Sequence, residues 1–445
     1  MGITIMPVGG YGEVGRNMTA IRVDDEVVIL DMGIHVGNYI AFTEDEDLKN
    51  IKTSELKAAK AIPNDEIIKS WRKDVKAIIP THAHLDHIAA IPFMAGKYNC
   101  PIIASPFTIA LLKTNLDIEN IHLPNKFKSV NVNATVKISD HLKVEFINVT
   151  HSTPQSVMVA LHTKYGIIIY ANDFKFDLTP TLGKKVNFER LRELGKSKKV
   201  LCLIAECLYS NEAIKMPSEN VAKEMLKEVL LGTDNKGKAV IVTTFSSHIA
   251  RLKSIIEIGK KMKRKVVFLG RSLSKYVQAA ESVKIVNFSK QIEIVKYSSK
   301  IRKRLGKVKE KDRAKYLFVV TGHQGEPKAT LSKIAHNDIR FKLRNGDHVV
   351  FSSKTIPTEE NRKSKEVLCD KLRQQGVRIF DDIHISGHAG KEDLRDLISL
   401  VNPKMIIPSH GERKMEEGTL KLALEMGYEK EDIKMIKNGQ KVKVV

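Results

Sequence analysis

The chain has 445 residues, 42% of them hydrophobic, and a formal net charge of +22. That length exceeds what one core supports, so two or three domains are expected, and no apolar run of about 18 residues predicts a membrane helix. The charge is uneven: residues 251–315 hold 21 Lys+Arg against 5 Asp+Glu, which points to an anionic partner, nucleic acid before membrane.

The N-terminus, Met1-Gly2-Ile3-Thr4-Ile5-Met6-Pro7, lacks the basic and apolar regions of a signal peptide and reads as a first strand. Residues 3–8 lead into a glycine-rich loop, Gly9 to Gly15. No helix with a dinucleotide-type start follows, so close packing of backbone beside a site is the better reading than a nucleotide cradle. Residues 21–30 form a hairpin turning at Asp24-Asp25. The hairpin delivers Asp31, which either orients a metal-bound histidine or caps its loop. Residues 41–70 are charged and expected to be helical or partly irregular.

Val75 to Pro80 is a buried strand, and it ends at Thr81-His82-Ala83-His84-Leu85-Asp86-His87. Four potential metal ligands fall within six residues. His82 and His84 are two apart and can reach one point. Asp86 and His87 enter the next helix and point elsewhere, so this stretch can feed two neighbouring metals. Imidazole with carboxylate suits zinc or a similar divalent ion, and such a cluster is costly to assemble without a cation.

Further candidates also stand at strand ends. Residues 144–149 lead to His151. Residues 156–161 pair with 166–170, which lead to Asp173, and 201–205 lead to Glu206. Beyond, a helix over 218–232 is followed by strands over 239–244, 266–271, 316–320 and 348–352 that alternate with helices. That pattern predicts a separate parallel α/β domain. Its strand ends carry Ser246, Ser247 and Thr321-Gly322-His323, residue types suited to holding phosphate. A charged helix over 359–375 precedes a strand over 377–380, then His384 to His388, a helix over 391–401, a strand over 405–408 and His410. A helix and a terminal strand complete the chain. Cys100, Cys202, Cys207 and Cys369 form no C-x-x-C pair, which predicts reduced cysteines, a cytoplasmic location and no zinc ribbon.

In combination these motifs resemble a known family. Asp31, the His82-to-His87 cluster, His151 and Asp173 resemble the motifs of the metallo-β-lactamase fold. Glu206, His388 and His410 match the further motifs of its β-CASP nuclease branch. Within that branch, Thr244-Phe245-Ser246-Ser247-His248, Thr321-Gly322-His323-Gln324-Gly325-Glu326-Pro327, His384-Ile385-Ser386-Gly387-His388-Ala389 and Pro408-Ser409-His410-Gly411-Glu412 look like the ribonuclease J family. The resemblance covers essentially the whole chain. It fits the shorter archaeal form, without the extra C-terminal domain of the bacterial proteins.

The resemblance implies an αββα metallo-β-lactamase sandwich in two segments, 1–206 and 361–445, with a parallel α/β β-CASP domain inserted over 207–360. It implies two zinc ions, with Mn2+ or Mg2+ as possible substitutes. His82, His84 and His151 would hold one ion, Asp86, His87 and His410 the other, and Asp173 would bridge them. Asp86 would also orient or deprotonate the attacking water, His388 would serve the leaving oxygen, and Asp31 and Glu206 would orient their neighbours. Ser246, Ser247, His323, His384, Ser386, Gly387 and His388 would contact the substrate near its 5′-phosphate. The activity implied is 5′→3′ exoribonuclease action on single-stranded RNA bearing a 5′-monophosphate, by a homodimer. The competing readings are an endoribonuclease of the same class, a small-molecule metallohydrolase such as a thioesterase, and a non-catalytic RNA-binding paralogue.

Overall fold

A computed structural model describes residues 1–43, 51–356 and 359–445. The chain forms two compact units. The first comprises Met1–Leu178, Lys184–Met216 and Gly387–Val445, and the second comprises Thr179–Gly183 and Pro217–Ser386.

The first unit contains two mixed sheets. One runs in the order Val442–Lys443, Ile3–Gly9, Met18–Val23, Glu26–Leu30, Val75–Ile79, Ile102–Ala104 and Phe127–Ser129. The other runs Met405–Ser409, Val200–Glu206, Ile167–Ala171, Val157–His162, Lys143–Asn148 and Thr135–Lys137. Strand alternation explains how they meet, because every second side chain faces the same way. Ile3, Ile5, Ile21, Val28, Leu30, Ala77 and Ile79 of one sheet share a dry core with Val144, Phe146, Val159, Leu161, Ile168, Cys202, Ile204 and Ile407 of the other. The alternate residues of the second sheet, such as Ile147, Met158, Ile169, Leu203 and Ile406, face a second core. Leu191 and Leu194 of helix Phe188–Lys196, and Leu394, Leu397 and Ile398 of helix Lys391–Val401, cover that face. The terminal segment is integral to this unit. Strand Met405–Ser409 pairs in parallel with Val200–Glu206, and Val442–Lys443 pairs with the first strand.

The second unit contains one six-stranded sheet, in the order Glu293–Val295, Lys265–Leu269, Tyr316–Val320, Val240–Thr243, His348–Phe351 and Arg378–Phe380. Every adjacent pair is parallel. Its strands read as continuous apolar runs because helices pack over it.

The unit boundaries differ from the expected 206/207 and 360/361. Helix Glu359–Gln374 buries Leu368, Cys369 and Leu372 in the core of this parallel sheet, and Arg378–Phe380 pairs with His348–Phe351. Both elements therefore belong with the insertion. Residues 41–70, expected to be helical or partly irregular, contain helix Thr53–Ala58 and overlap helix Val36–Thr43 and a 3-10 stretch from Asp65 to Asp74. Residues 44–50 lie outside the described residues. The helix after the ligand-rich turn is two short pieces, Leu85–Ile88 and Ile91–Met94, with Pro92 in the first turn of the second. Among the described residues no helix is long and apolar enough to cross a membrane, and the four cysteines are buried and unpaired.

Candidate metal centre

The candidate ligands sit where strands of the first unit end. Val75–Ile79 delivers His82, His84, Asp86 and His87; Ile167–Ala171 delivers Asp173; Met405–Ser409 delivers His410. Asp31, Asp173 and His410 each hold a positive φ, at 58°, 59° and 52°. For a residue with a side chain that conformation costs roughly 1–2 kcal/mol. Three such residues in one place mark a turn geometry kept for aiming side chains.

Among the described residues three groups of candidate ligands form, all sharing Asp173; the smallest is Asp173, Glu206 and His388, and the other two have four members each. Of these two, the first is His82, His84, His151 and Asp173; the second is Asp86, His87, His410 and Asp173. In the first, His84 Nδ1 lies 3.1 Å from His82 Nε2 and 3.0 Å from His151 Nε2. Asp173 Oδ2 lies 3.3 Å from His82 Nε2 and 3.5 Å from His151 Nε2. In the second, Asp86 Oδ2 is 3.6 Å from both His87 Nε2 and His410 Nε2. Asp173 Oδ2 is 3.3 Å from His87 Nε2, and Asp173 Oδ1 is 3.5 Å from His410 Nε2. Tetrahedral ligands about 2.0–2.1 Å from one zinc-sized ion lie about 3.4 Å from each other. The separations match that spacing.

Electrostatics support the same occupant. Asp173 is buried, and among the described residues neither carboxylate oxygen has a hydrogen-bond partner, although imidazole nitrogens lie 3.3–3.5 Å away. Leaving such a group unsatisfied costs about 1–3 kcal/mol or more, which a cation between Asp173 and the imidazoles removes. Burial acts to raise the Asp173 carboxyl, but His87, His410, His388 and His82 around it hold it well below the usual carboxylate range. Burial and neighbouring imidazoles push His84 and His151 well below the ordinary histidine value. That favours their neutral form, the one that ligates a metal, whereas, against the effect of burial, Asp173, Asp31 and Asp86 hold His87 well above the ordinary value.

Hydrogen bonds fix which nitrogen faces the centre. His151 Nδ1 donates to the Gly387 carbonyl at 2.7 Å, leaving Nε2 for a metal. A side chain at Gly387 would meet Ser152 Oγ at 2.2 Å and His151 Nδ1 at 2.9 Å, so glycine is what lets that carbonyl approach. His87 Nδ1 donates to Asp31 Oδ2 at 2.8 Å, and Asp31 Oδ1 accepts from the Thr81 amide at 2.7 Å and hydroxyl at 2.9 Å. Of the two roles open to Asp31, the geometry places it behind His87. Gly33 has a packing reason too, since a Cβ there would lie 1.6 Å from the Asp86 carbonyl.

His388 and Glu206 adjoin the ligand groups. His388 Nδ1 donates to Glu206 Oε2 at 2.7 Å, while Glu206 Oε1 accepts the Phe174 and Ala389 amides at 2.8 and 3.3 Å. Burial would depress His388, yet Glu206 and Asp173 push it up to about 10. Burial raises the Glu206 carboxyl despite this partner.

Sequence reasoning missed three contributors. Asn17 Nδ2 donates to the Asp86 carbonyl at 3.1 Å and lies 3.1 Å from His87 Nε2 and 3.0 Å from His410 Nδ1. Asn172 accepts from Ser409 Oγ at 2.6 Å and donates to Tyr170 Oη at 2.8 Å. Thr81 is the third. Thr81 and Asn172 adjoin predicted ligands in sequence, but an Asn or Thr there carries no ligand pattern of its own, and Asn17 lies outside any motif. The glycine-rich loop does lie beside the site: the Gly15 amide donates to His410 Nδ1 at 3.1 Å, and the Gly10 carbonyl accepts the His410 amide at 2.6 Å.

The predicted substrate residues divide between the units. Gly387 and His388 belong to the first. In the second, Ser246 and Ser247 follow Val240–Thr243, His323 follows Tyr316–Val320, and His384 and Ser386 follow Arg378–Phe380. All five thus sit beyond the carboxyl ends of parallel strands, where such sheets bind ligands. The Phe245 ring brings two of them together, with centroids 4.3 Å from His323 and 6.0 Å from His384. Behind His384 lies a fully buried Arg251. It donates to Glu219 Oε1 and Oε2 at 2.6 and 2.8 Å, to Ser352 Oγ at 2.8 Å and to the Ile383 carbonyl at 3.2 Å. Its guanidinium is 3.4 Å from His384 Nδ1.

Comparison with known proteins agrees with this architecture. Residues 61–217 match a beta-lactamase superfamily domain, 237–370 a ribonuclease J beta-CASP domain, and 377–431 a Zn-dependent metallo-hydrolase RNA specificity domain. The chain is 43% identical over 442 residues to ribonuclease J of Methanocaldococcus jannaschii, covering 99% of this chain and 98% of that one. It is 41% identical over 430 residues to ribonuclease J of Pyrococcus abyssi, covering 96% and 93%. Against ribonuclease J 1 of Streptococcus pyogenes it is 32% identical over 442 residues, covering 98% and 73%. The fold also matches a crystal structure of a protein of unknown function from Enterococcus faecalis V583, with a TM-score of 0.68, 17% identity and full coverage of both chains. Two shared-ligand groups at the strand ends of a metallo-β-lactamase sandwich, an inserted parallel β-CASP sheet and near full-length likeness to archaeal relatives together establish that the chain belongs to the ribonuclease J family.

Proposed function

We propose that this chain is a metal-dependent 5′→3′ exoribonuclease that takes two zinc ions and acts on single-stranded RNA with a 5′-monophosphate. The observation that carries the reading is the shared buried Asp173 between two groups of ligands at zinc-like separations. His82, His84 and His151 would hold one ion, and Asp86, His87 and His410 the other. Bound there, divalent cations supply Lewis acidity at the phosphodiester and lower the pKa of the attacking water.

The remaining chemistry falls to side chains of the chain itself. Asp86, with 19% of its side chain exposed, orients or deprotonates the attacking water. His388 donates a proton to the leaving 3′ oxygen, because Glu206 keeps the imidazole charged and fixes its Nδ1, leaving Nε2 to act. That division of roles yields 5′-phosphate and 3′-hydroxyl products. Ser246, Ser247, His323, His384 and Ser386 hold the 5′-terminal phosphate and its nucleotide, with Phe245 behind the two imidazoles. Arg251 positions His384 from behind.

The test is product analysis on end-labelled RNA carrying either 5′-monophosphate or 5′-hydroxyl, with zinc, manganese or magnesium supplied singly. Mononucleotides released from the monophosphorylated end support the proposal. Internal cuts without mononucleotides would assign an endoribonuclease instead.

A further inference from the structure

The basic excess of residues 251–315 has a local centre that the hydrolytic site does not use. Helix Ser298–Gly306 buries Ile301 and Leu305 against the second unit's sheet. About one turn apart on another side come Lys300 and Lys303 of the helix and Lys307 at its C-terminal cap, preceded by Tyr297 at the N-terminal cap. Positions three and four apart are neighbours on a helix, about 5–6 Å between Cβ atoms. These four residues therefore make one stripe, and all four are exposed, Tyr297 by 47%.

The stripe lacks counter-charges. Elsewhere in this region cations meet carboxylates: Arg304 and Lys265 pair with Glu293, Lys315 with Asp312, and Arg313 with Glu310 and Asp347. Among the described residues, no ion pair engages Lys300, Lys303 or Lys307. Nor does one engage Lys296, Arg302, Lys309 or Lys311, which flank them in sequence. Like charges at this spacing repel one another on a helix, so an anion bound along the stripe relieves a standing cost. Tyr297 adds the second element. Lys296 and Lys300 ammonium groups lie over its ring, 5.3 and 5.7 Å from the centroid, so an aromatic side chain stands exposed among the cations. Cations that track a backbone, next to an aromatic platform for a base, form the surface that takes single-stranded nucleic acid.

The stripe follows the edge strand Glu293–Val295. The strand leading to His384 and Ser386, Arg378–Phe380, is the opposite edge of the same sheet. Five strand spacings of about 4.8 Å separate them, roughly 24 Å. A short RNA held at His384 does not reach that far, whereas a long one does.

We propose that Tyr297, Lys300, Lys303 and Lys307 form a second RNA-docking surface, engaging single-stranded RNA beyond the nucleotides held near the 5′ end. The proposal rests on the RNA-directed reading of the family site, and its test separates the two. The variants are the triple substitution Lys300→Gln, Lys303→Gln, Lys307→Gln and the single substitution Tyr297→Ala, all at exposed positions. Binding is measured on the zinc-loaded protein with a phosphorothioate-linked oligoribonucleotide of about 20 nucleotides, longer than the roughly 4–16 a single-strand groove occupies. Hydrolysis is measured separately on a 5′-phosphorylated trinucleotide.

Three lost phosphate contacts lower the slope of log affinity against log salt by about 2 for a single strand, and at low salt they weaken long-RNA binding by about tenfold or more. Tyr297→Ala weakens it by about fivefold or more through lost stacking. Trinucleotide hydrolysis stays unchanged. Unaltered long-RNA affinity and salt slope in the triple variant would overturn the proposal. Loss of poly-glutamate binding alone would overturn it too, by assigning the stripe to an acidic protein. A wild-type protein that binds long RNA through the stripe yet cuts no RNA would refute the exoribonuclease reading while leaving the docking surface standing.

Discussion

Substituting Asp173 by Asn tests the shared-ligand geometry directly. Asn is the replacement of choice because position 173 holds φ 59°, a conformation Asn tolerates better than most residues. The change removes one negative charge from both ligand groups at once. A site present only in the folded state stabilises it by RT ln(1 + [L]/Kd), about 2.7 kcal/mol at 100 times Kd. Two sites at that concentration contribute about 5 kcal/mol. Outer partners of a metal site are worth 10–100-fold in affinity, and a direct ligand at least the upper end. At the same free zinc, a 100-fold loss leaves about 0.4 kcal/mol per site, or about 0.8 kcal/mol in all.

The assay is urea unfolding with and without zinc, followed by tryptophan fluorescence. The chain has one tryptophan, Trp71, buried in the first unit with the ligands, so the signal reports the unit that matters. Metal analysis after gel filtration gives the stoichiometry. The expected outcome is near-complete loss of zinc-linked stability in Asp173→Asn, against loss of about half in His151→Ala, which touches one group only. Equal zinc-linked stabilisation in the wild type and Asp173→Asn would refute the bridging geometry, as would loss of a single equivalent.

Three further substitutions have defined outcomes. His388→Ala should cut turnover by about 10²–10⁴-fold while both zinc equivalents remain, as read by metal analysis; zinc loss would assign His388 to the ligands. Glu206→Gln removes the carboxylate that raises His388 to about 10, so the alkaline limb of the pH–rate profile should move to lower pH. In the metal-free protein the same raised value stabilises the fold fully below the ordinary histidine pKa and is lost as pH rises through about 10. The Gln variant should lack that alkaline loss in a pH series of melting curves. Arg251→Met strips the guanidinium from buried Glu219, which keeps His248 Nε2 at 3.4 Å, and should destabilise the second unit by up to about 3–5 kcal/mol. Adding Glu219→Leu should recover much of that in a double-mutant cycle of hydrogen exchange over the parallel sheet.

Much of the fold was legible because its signals are local. Val75 to Pro80 runs apolar into a dense set of ligands, and strand-then-helix alternation after Glu206 announces a parallel sheet. The boundary near residue 360 was not legible. Helix Glu359–Gln374 is charged on its outer face, and only its burial of Leu368 and Leu372 against the parallel sheet shows which unit owns it. Asp31 could be read two ways until His87 Nδ1 was found against its carboxylate. Asn17 gave no signal, since a lone amide outside a motif looks the same whether or not it touches two ligand imidazoles. Gly387, expected beside substrate, has its carbonyl on His151, a contact between residues 236 positions apart.

The sequence by itself determined the ligand chemistry. The spacing of His82, His84, Asp86 and His87 fixes which donors a single turn offers, and the run of basic residues over 251–315 fixes the sign of the partner. Tertiary structure alone decided how incomplete sets become complete ones. Asp173 belongs to both groups only because strand Ile167–Ala171 ends beside the turn after Val75–Ile79, and His410 joins only because Met405–Ser409 returns to the same sheet. Backbone periodicity reports which face a residue occupies, whereas the meeting of side chains from distant strands depends on sheet order and on packing between sheets, which no local pattern encodes.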